Sequence, residues 1–305
     1  MVQKNNLNTI VICGPTASGK TSLSVELAKK LNTDVVSADS LYIYKGLDIG
    51  TAKPTINEMQ GVKHHLIDVV YPTESFSVSD YERLASPIVD GLLNSGKMPI
   101  ICGGTGFYIN SLLFDLSYGK VAECPKIRAK YNDLALKEGN HAVHEVLRKI
   151  DPKSASDIHE NNLKRVIRAI EIYEVSGIKK SDIDDGNNVK RKYKAYSINY
   201  DREVLYSRIK TRIDIMLKDG LIEEVESLIK DGITKEHQCM QGIGYKEVYE
   251  YLMGEINFEK LKEILLLNTR HYAKRQETFF KRLPGLKFLK PDDNDKLVQT
   301  ILNDL

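Results

Sequence analysis

Short apolar runs alternate along this chain with stretches whose apolar positions recur every three or four residues. Thr9-Ile10-Val11-Ile12-Cys13 is apolar and β-branched, as expected of a strand buried on both faces. Behind it, Leu23, Leu27 and Leu31 share one face of a helix that opens near Lys20. Asp34 to Ala38 reads as a second strand and Met98 to Cys102 as a third, its proline near the start where a missing N–H is tolerated. Tyr193 to Tyr200 alternates like a later strand. From Val121 to about Asn188 the signal is helical and polar. Its clearest helix runs from about Asn161 to Val175, with Leu163, Ile167, Ile170 and Tyr173 on one face and Gly177 as the stop. Ser181 to Lys194, with Gly186-Asn187-Asn188, predicts an exposed, mobile return loop. Later helices end near Gly220 and Gly232, one covers Tyr245 to Met253, and a long one runs from Asn257 to Arg282. Gly46 to Pro54 and Gly61 to Pro72 are rich in turn residues and predict functional loops. The alternation predicts an α/β fold with a doubly wound parallel sheet, interrupted by a helical insertion. The expected division is a core over 1–120, a helical insertion over 121–192, and the rest of the core over 193–305.

Composition narrows the class. A chain of 305 residues is long enough to bury a large core and split into two lobes. The net charge of +2 does not argue for nucleic acid by itself, so any basic footprint must come from clustering. Cys13, Cys102, Cys124 and Cys239 lie far apart, with no metal-ligand spacing, and read as reduced thiols. No apolar signal core and no run of eighteen apolar residues occurs, so a soluble, cytoplasmic protein with no membrane partner is expected. Monomer is the default expectation.

The chemistry begins directly after the first strand. Gly14-Pro15-Thr16-Ala17-Ser18-Gly19-Lys20-Thr21 follows G-x-x-x-x-G-K-[ST], the loop that cradles phosphates between a strand and a helix N-terminus. Lys20 is expected to serve as a point charge on the terminal phosphates, and Thr21 to offer its hydroxyl to Mg²⁺. The core is therefore expected to be P-loop NTPase-like. Asp39-Ser40 follows the second strand, where a carboxylate faces the phosphate loop. Asp39 could bind Mg²⁺ indirectly, cap a helix, or act as a general base. Gly103-Gly104-Thr105-Gly106 follows the third strand; it either lets a backbone approach a ligand or forms a tight turn with Thr105 as N-cap. His64-His65 lack partners at metal spacing and read as loop histidines. On the long helix, Arg270, His271, Lys274, Arg275, Lys281 and Arg282 fall within roughly 140°. Leu261, Leu265, Tyr272, Phe279, Phe280 and Leu283 gather opposite. Lys164, Arg165 and Arg168 make a second basic spot, and together the clusters suggest a nucleic-acid backbone footprint.

These residues belong to longer blocks. Ser37-Ala38-Asp39-Ser40, Tyr44-Lys45-Gly46-Leu47-Asp48-Ile49-Gly50-Thr51-Ala52-Lys53-Pro54, His64-His65-Leu66-Ile67-Asp68 and Phe76-Ser77-Val78-Ser79-Asp80-Tyr81 follow the phosphate loop. Gly103 to Tyr108, Arg165 to Glu171, Gln241 to Glu247 and Thr269 to Gln276 come after them. In these blocks and in their order the chain resembles the tRNA dimethylallyltransferases along nearly its whole length.

The resemblance implies a transfer rather than a hydrolysis. The dimethylallyl group of dimethylallyl diphosphate would pass to N6 of the adenine just 3′ of the anticodon in tRNA. The phosphate loop, Gly14 to Thr21, would then hold the diphosphate leaving group, with Mg²⁺. Asp39 would serve as the base, with Lys20 and Thr105 completing the catalytic set. Asp39, Ser40, Leu41, Tyr42, Thr105, Glu123, Lys164, Arg165, Arg168 and Gln241 would contact the tRNA anticodon stem-loop, joined by Lys274 and Arg275 of the basic stripe. Two alternatives stand beside this reading: prenyl transfer to a free adenine nucleotide, and a small-metabolite kinase using ATP on the same loop.

Overall fold

The computed structural model describes residues 8–116, 121, 123–183 and 188–305. In chain order, β1 (Thr9–Cys13), α1 (Lys20–Leu31), β2 (Val35–Ser37), α2 (Ile56–Met59), β3 (His64–His65), α3 (Val78–Asn94), β4 (Ile100–Gly103) and α4 (Gly106–Leu113) come first. α5 (Pro125–Glu138), α6 (Asn140–Ile150), α7 (Pro152–Asp157) and α8 (Leu163–Ser176) follow. The chain then adds β5 (Tyr193–Ile198), α9 (Arg202–Lys218), α10 (Leu221–Lys230), α11 (Tyr245–Leu252), α12 (Phe258–Phe280), β6 (Leu286–Leu289) and α13 (Asn294–Asp304). It divides into two compact units, one of residues 1–113 with 189–305 and one of residues 114–188.

The first unit is built on a six-stranded sheet in the order β3-β2-β4-β1-β5-β6, with every pairing parallel. All five residues of β1 are buried, because β4 and β5 flank it and helices cover the sheet. Ile10, Ile12, Leu23, Leu27, Ile100, Tyr196, Ile198, Leu297, Val298 and Ile301 form one apolar core. Cys13 pairs with Gly103 and Ser37 with Cys102, so the carboxyl ends of β1, β2 and β4 lie side by side. In open α/β sheets this edge carries the ligand site. The chain is pinned where it returns to the sheet: the buried Arg191 holds Asp90 through its Nε at 2.8 Å and the Leu112 carbonyl at 2.6 Å.

The fold class expected from the sequence is present, with local differences. His64-His65 form the short edge strand β3 rather than a loop, and His65 Nε2 meets the Asp34 carboxylate at 2.8 Å. Their sequence is too short and too polar to announce a strand, and only pairing with β2 makes one. The third predicted strand lies slightly later, as β4. β6 and α13 were not legible as elements; α13 packs Leu297, Val298 and Ile301 on the core that α1 also covers. The predicted return loop from Ser181 to Lys194 falls partly outside the described residues, at 184–187. β5 begins at its end, at Tyr193.

The second unit is helical. Tyr131, Val143, Leu147, Val166, Ile167, Ala169 and Ile170 form its core. α8 ends at Gly177, whose φ of 72° is the left-handed stop that glycine adopts readily. Tyr173, assigned by its spacing to the apolar face of α8, is exposed instead. Val166, Ala169 and Ile172 take the buried positions.

Candidate active site

A cavity of about 960 Å³ opens in the first unit at the carboxyl edge of the sheet. The phosphate loop forms one wall: Thr16 to Thr21 line it, with Gly14, Ala17 and Gly19 all at positive φ. α1 starts at Lys20, so its positive dipole end and its first amides face the cavity. The Lys20 ammonium donates to the Pro15 carbonyl at 2.6 Å. Burial pushes its pKa below the ordinary range, while Cys102 and Asp39 favour the charged form. The Ser18 hydroxyl is buried without a hydrogen-bond partner.

Asp39 to Tyr42 form the facing wall. The Asp39 carboxylate accepts from the Leu41 N–H at 3.0 Å, closing a turn. Burial raises its pKa above the usual carboxylate range; the Leu41 amide, Lys20 and Arg212 oppose the shift without cancelling it. A carboxylate so placed is more basic than one in water. The Thr105 hydroxyl oxygen accepts from the Ser40 N–H at 3.0 Å and donates to the Ser40 hydroxyl at 3.2 Å, tying the loop after β4 to the loop after β2. The glycines around it admit the protein's own groups. A Cβ on Gly103 would lie 2.1 Å from the Ala38 carbonyl oxygen, and one on Gly106 would lie 2.1 Å from the Phe279 ring.

The rest of the lining comes from distant parts of the chain. α9 supplies Arg208, whose Nε donates to the Ala17 carbonyl at 2.7 Å, and Arg212 beside Asp39. Gln241 to Gly244 line the cavity as well. α12 supplies Thr269, Tyr272, Arg275 and Gln276.

Known proteins share this chain's pattern. The family model described as IPP transferase matches residues 42–283. A tRNA dimethylallyltransferase of Acetivibrio thermocellus is 45% identical over 302 residues, covering 97% of this chain and 96% of that one. The chain belongs to the IPP transferase family. Among solved structures, the full-length tRNA isopentenylpyrophosphate transferase of Bacillus halodurans is similar at 41% identity, covering 97% of this chain and 95% of that one, with a TM-score of 0.74. A eukaryotic dimethylallyltransferase, solved in crystallographic snapshots acting on tRNA, is 28% identical over 98% of this chain and 77% of its own, with a TM-score of 0.83.

The cavity of this family member gathers the phosphate loop, Asp39 to Tyr42, Gln241 and Arg275, and Thr105 joins it through Ser40. The basic stripe of α12 divides. His271, Lys274, Lys281 and Arg282 are exposed, but Arg270 lays its guanidinium 4.8 Å from the centre of the Tyr206 ring. Arg275, at the other edge, lines the cavity, and Tyr272, which the spacing grouped opposite the stripe, lines it too. The helical unit shows a similar division. Lys164 and Arg165 are exposed. Arg168 and Glu123 also take part in an ion-pair network within the unit. Arg128 holds the fully buried Glu171 with two hydrogen bonds at 2.9 and 3.0 Å and pairs with Glu123 at 2.9 Å. Arg168 binds Glu171 and the Val121 carbonyl. Burial would raise the Glu171 carboxyl's pKa, but Arg128, Arg168 and the Cys124 amide outweigh it and hold the group below the usual range.

Arg208, Arg212, Gln276 and Glu224 had no assigned role in the sequence. Arg208 and Arg212 lie four residues apart, which places them on one helix face, but nothing local says which way that face looks. Glu224 accepts from three successive backbone amides, Asp48, Ile49 and Gly50, at 2.9, 2.7 and 3.0 Å, and from the Tyr245 hydroxyl at 2.6 Å. The buried Lys53 braces the same loop through Asp48, Asp68 and the Tyr44 carbonyl. The Gly46 to Pro54 run is thus held from within and from α10. Glu224→Ala strips the partner from three amides, each worth about 1–3 kcal/mol when left unsatisfied, so a total loss of about 2–4 kcal/mol is expected with some water entering. Urea denaturation measures it; a change under about 0.5 kcal/mol would show that solvent replaces the carboxylate fully.

Proposed function

We propose that this protein transfers the dimethylallyl group of dimethylallyl diphosphate to N6 of the adenine 3′-adjacent to the anticodon in tRNA, in the cytoplasm, releasing diphosphate. The single observation that carries the reading is the meeting of a phosphate loop and an aspartate of raised basicity across one cavity. Membership of the IPP transferase family supports it.

The adenine amine is a weak nucleophile because its lone pair is delocalised into the ring. As N6 bonds to the allylic carbon, the carbon–oxygen bond to diphosphate breaks and N6 must shed a proton. Asp39 takes that proton, and burial has raised its affinity for it. Thr105 orients Ser40 and, through it, the Asp39 turn. The departing diphosphate gains negative charge, which the loop amides, Lys20 and Arg208 meet in place at the cavity wall. An adenine stacked in an anticodon loop must leave the stack to enter, as in other enzymes that modify bases.

The residues suit Mg²⁺. Among the described residues no group of three His, Cys, Asp or Glu forms a protein cage for a metal. The Thr21 side chain lines the cavity as one neutral oxygen donor, and Asp39 on the facing wall is kept for the proton. One such donor fits a cation that takes its remaining ligands from diphosphate and water. When bound, Mg²⁺ would neutralise charge on the leaving group.

Incubation with unmodified tRNA and labelled dimethylallyl diphosphate, followed by nucleoside analysis, tests the proposal. Labelled N6-(dimethylallyl)adenosine is expected. Product from AMP but not from tRNA would overturn the choice of acceptor.

The exposed Lys274 of α12 and Lys281, directly after it, are assigned to the tRNA backbone. Lys274→Ala with Lys281→Ala is expected to weaken tRNA binding and to flatten the plot of log affinity against log salt by about 0.7 to 0.9 for each phosphate no longer neutralised. Turnover at saturating tRNA should hold, since such lysines position the substrate and do no chemistry. A salt titration of binding measures the slope; an unchanged slope would make this face merely solvated.

A further inference from the structure

The α12 helix sends one buried amide between the two loops that matter most. Gln276 is 5% exposed. Its Oε1 accepts from the Thr16 N–H, inside the phosphate loop, at 2.9 Å. Its Nε2 donates to the Gly104 carbonyl, beside Thr105, at 3.0 Å. The two neighbours fix the orientation of the amide, since an N–H needs the oxygen and a carbonyl needs the nitrogen. The backbone makes room for it: a Cβ on Gly104 would lie 2.2 Å from Nε2.

We infer that Gln276 is a positioning residue, which sets the spacing between the leaving-group loop and the loop that holds the base. The inference rests on the prenyl-transfer reading. From Gly104 the connection runs through Thr105, whose hydroxyl takes the Ser40 N–H, to Asp39. From Thr16 it runs through the loop that ends in Lys20. Alkyl transfer needs the nucleophile and the leaving oxygen on opposite sides of one carbon, with the reacting atoms about 3–3.5 Å apart. Each partner is held by a different loop, after β1 and after β2, the second braced by the loop after β4 through Thr105, and strand pairing fixes only the roots of those loops. Gln276 joins them beyond the strands. Each end of the amide is committed to a backbone group, and Tyr272 hydrogen-bonds the same side chain, so the effect assigned to Gln276 passes through its neighbours. Methionine has nearly the same length and shape and cannot form either hydrogen bond.

The experiment is single-turnover prenyl transfer by Gln276→Met at saturating dimethylallyl diphosphate and tRNA, alongside equilibrium binding of pyrophosphate and of tRNA. The expected result is a split. The rate falls roughly 10- to 100-fold, the usual penalty for a misplacement near 1 Å, while both dissociation constants stay within about threefold. Combined with Asp39→Asn, the second substitution should slow the reaction by much less than it slows the native protein, because the two act as a unit. Should Met disturb folding, Gln276→Glu keeps the Thr16 hydrogen bond and breaks the Gly104 one, and should show a reduced rate with tRNA affinity retained. A rate loss matched by an equal loss of pyrophosphate affinity would overturn the inference, showing that Gln276 only folds the phosphate loop. An undiminished rate would overturn it as well. A native protein that makes no prenylated tRNA would overturn the prenyl-transfer reading and this inference together, whereas native activity with an unimpaired Gln276→Met overturns this inference alone.

Discussion

Asp39→Asn is expected to turn over about two to four orders of magnitude more slowly than the native protein, the usual weight of a general base. Asparagine keeps the size of the side chain and its oxygen can still accept from the Leu41 amide, so the turn should survive. What it loses is the capacity to take a proton. The native pH profile should carry the signature of this group. The base works only when ionised, and burial raises the Asp39 pKa. The acid limb of kcat/KM should therefore lie above the value of about 3.9 for an aspartate in water. Activity should fall as pH drops through that limb, and the limb should vanish from the residual activity of the Asn variant. Binding of tRNA should change little. A near-native rate for the variant would make Asp39 a turn-closing group only.

Lys20→Ala should be nearly as severe, with a fall of about two to three orders of magnitude in turnover, as for removal of one preorganised donor from a developing anion. The ammonium is held against the Pro15 carbonyl at the cavity wall, where burial strengthens its interaction with an arriving diphosphate. Pyrophosphate should compete with the donor in the native protein and bind poorly to the variant. ATP should compete weakly, because an allylic donor calls for no ribose or base site beside the loop. Competition assays against labelled donor measure both. Steady tRNA-stimulated ATP hydrolysis without prenylated product would overturn the assignment and favour phosphoryl transfer.

How far the site was legible follows from how local each signal is. Gly14 to Thr21 could be read outright, because strand, glycine turn and helix start are neighbours in the chain. Asp39 could be located beside it, since a residue just past a strand of a parallel sheet must sit at the sheet's carboxyl edge. Its three possible roles could not be separated, because its basicity depends on burial and on Lys20 and Arg212, which come from elsewhere. The basic stripe of α12 was visible as helical spacing, but spacing gives a face and not its direction. Arg270 and Arg275 lie at the two edges of the stripe. One turned onto Tyr206 and the other to the cavity only because of where α12 packs. Arg168 was equally legible as a charge, but its ion pair with the buried Glu171 three residues on shows only in the fold.

The sequence by itself determined the α/β alternation, the phosphate loop, the interruption by polar helices, and, through blocks spread over nearly the whole chain, the resemblance to a family. Each of these rests on periodicity or on residues a few positions apart, where the backbone alone dictates who is near whom. Tertiary structure alone decided that His64-His65 form a strand and that β6 and α13 complete the core, since short polar segments become elements only when a neighbour offers partners. It also decided that Glu224 clamps amides more than 170 positions away and that Gln276 meets Thr16 across 260. No local pattern encodes such pairs. They arise because a parallel sheet, built through crossovers, brings the ends of distant strands to one edge and leaves late helices to close over it.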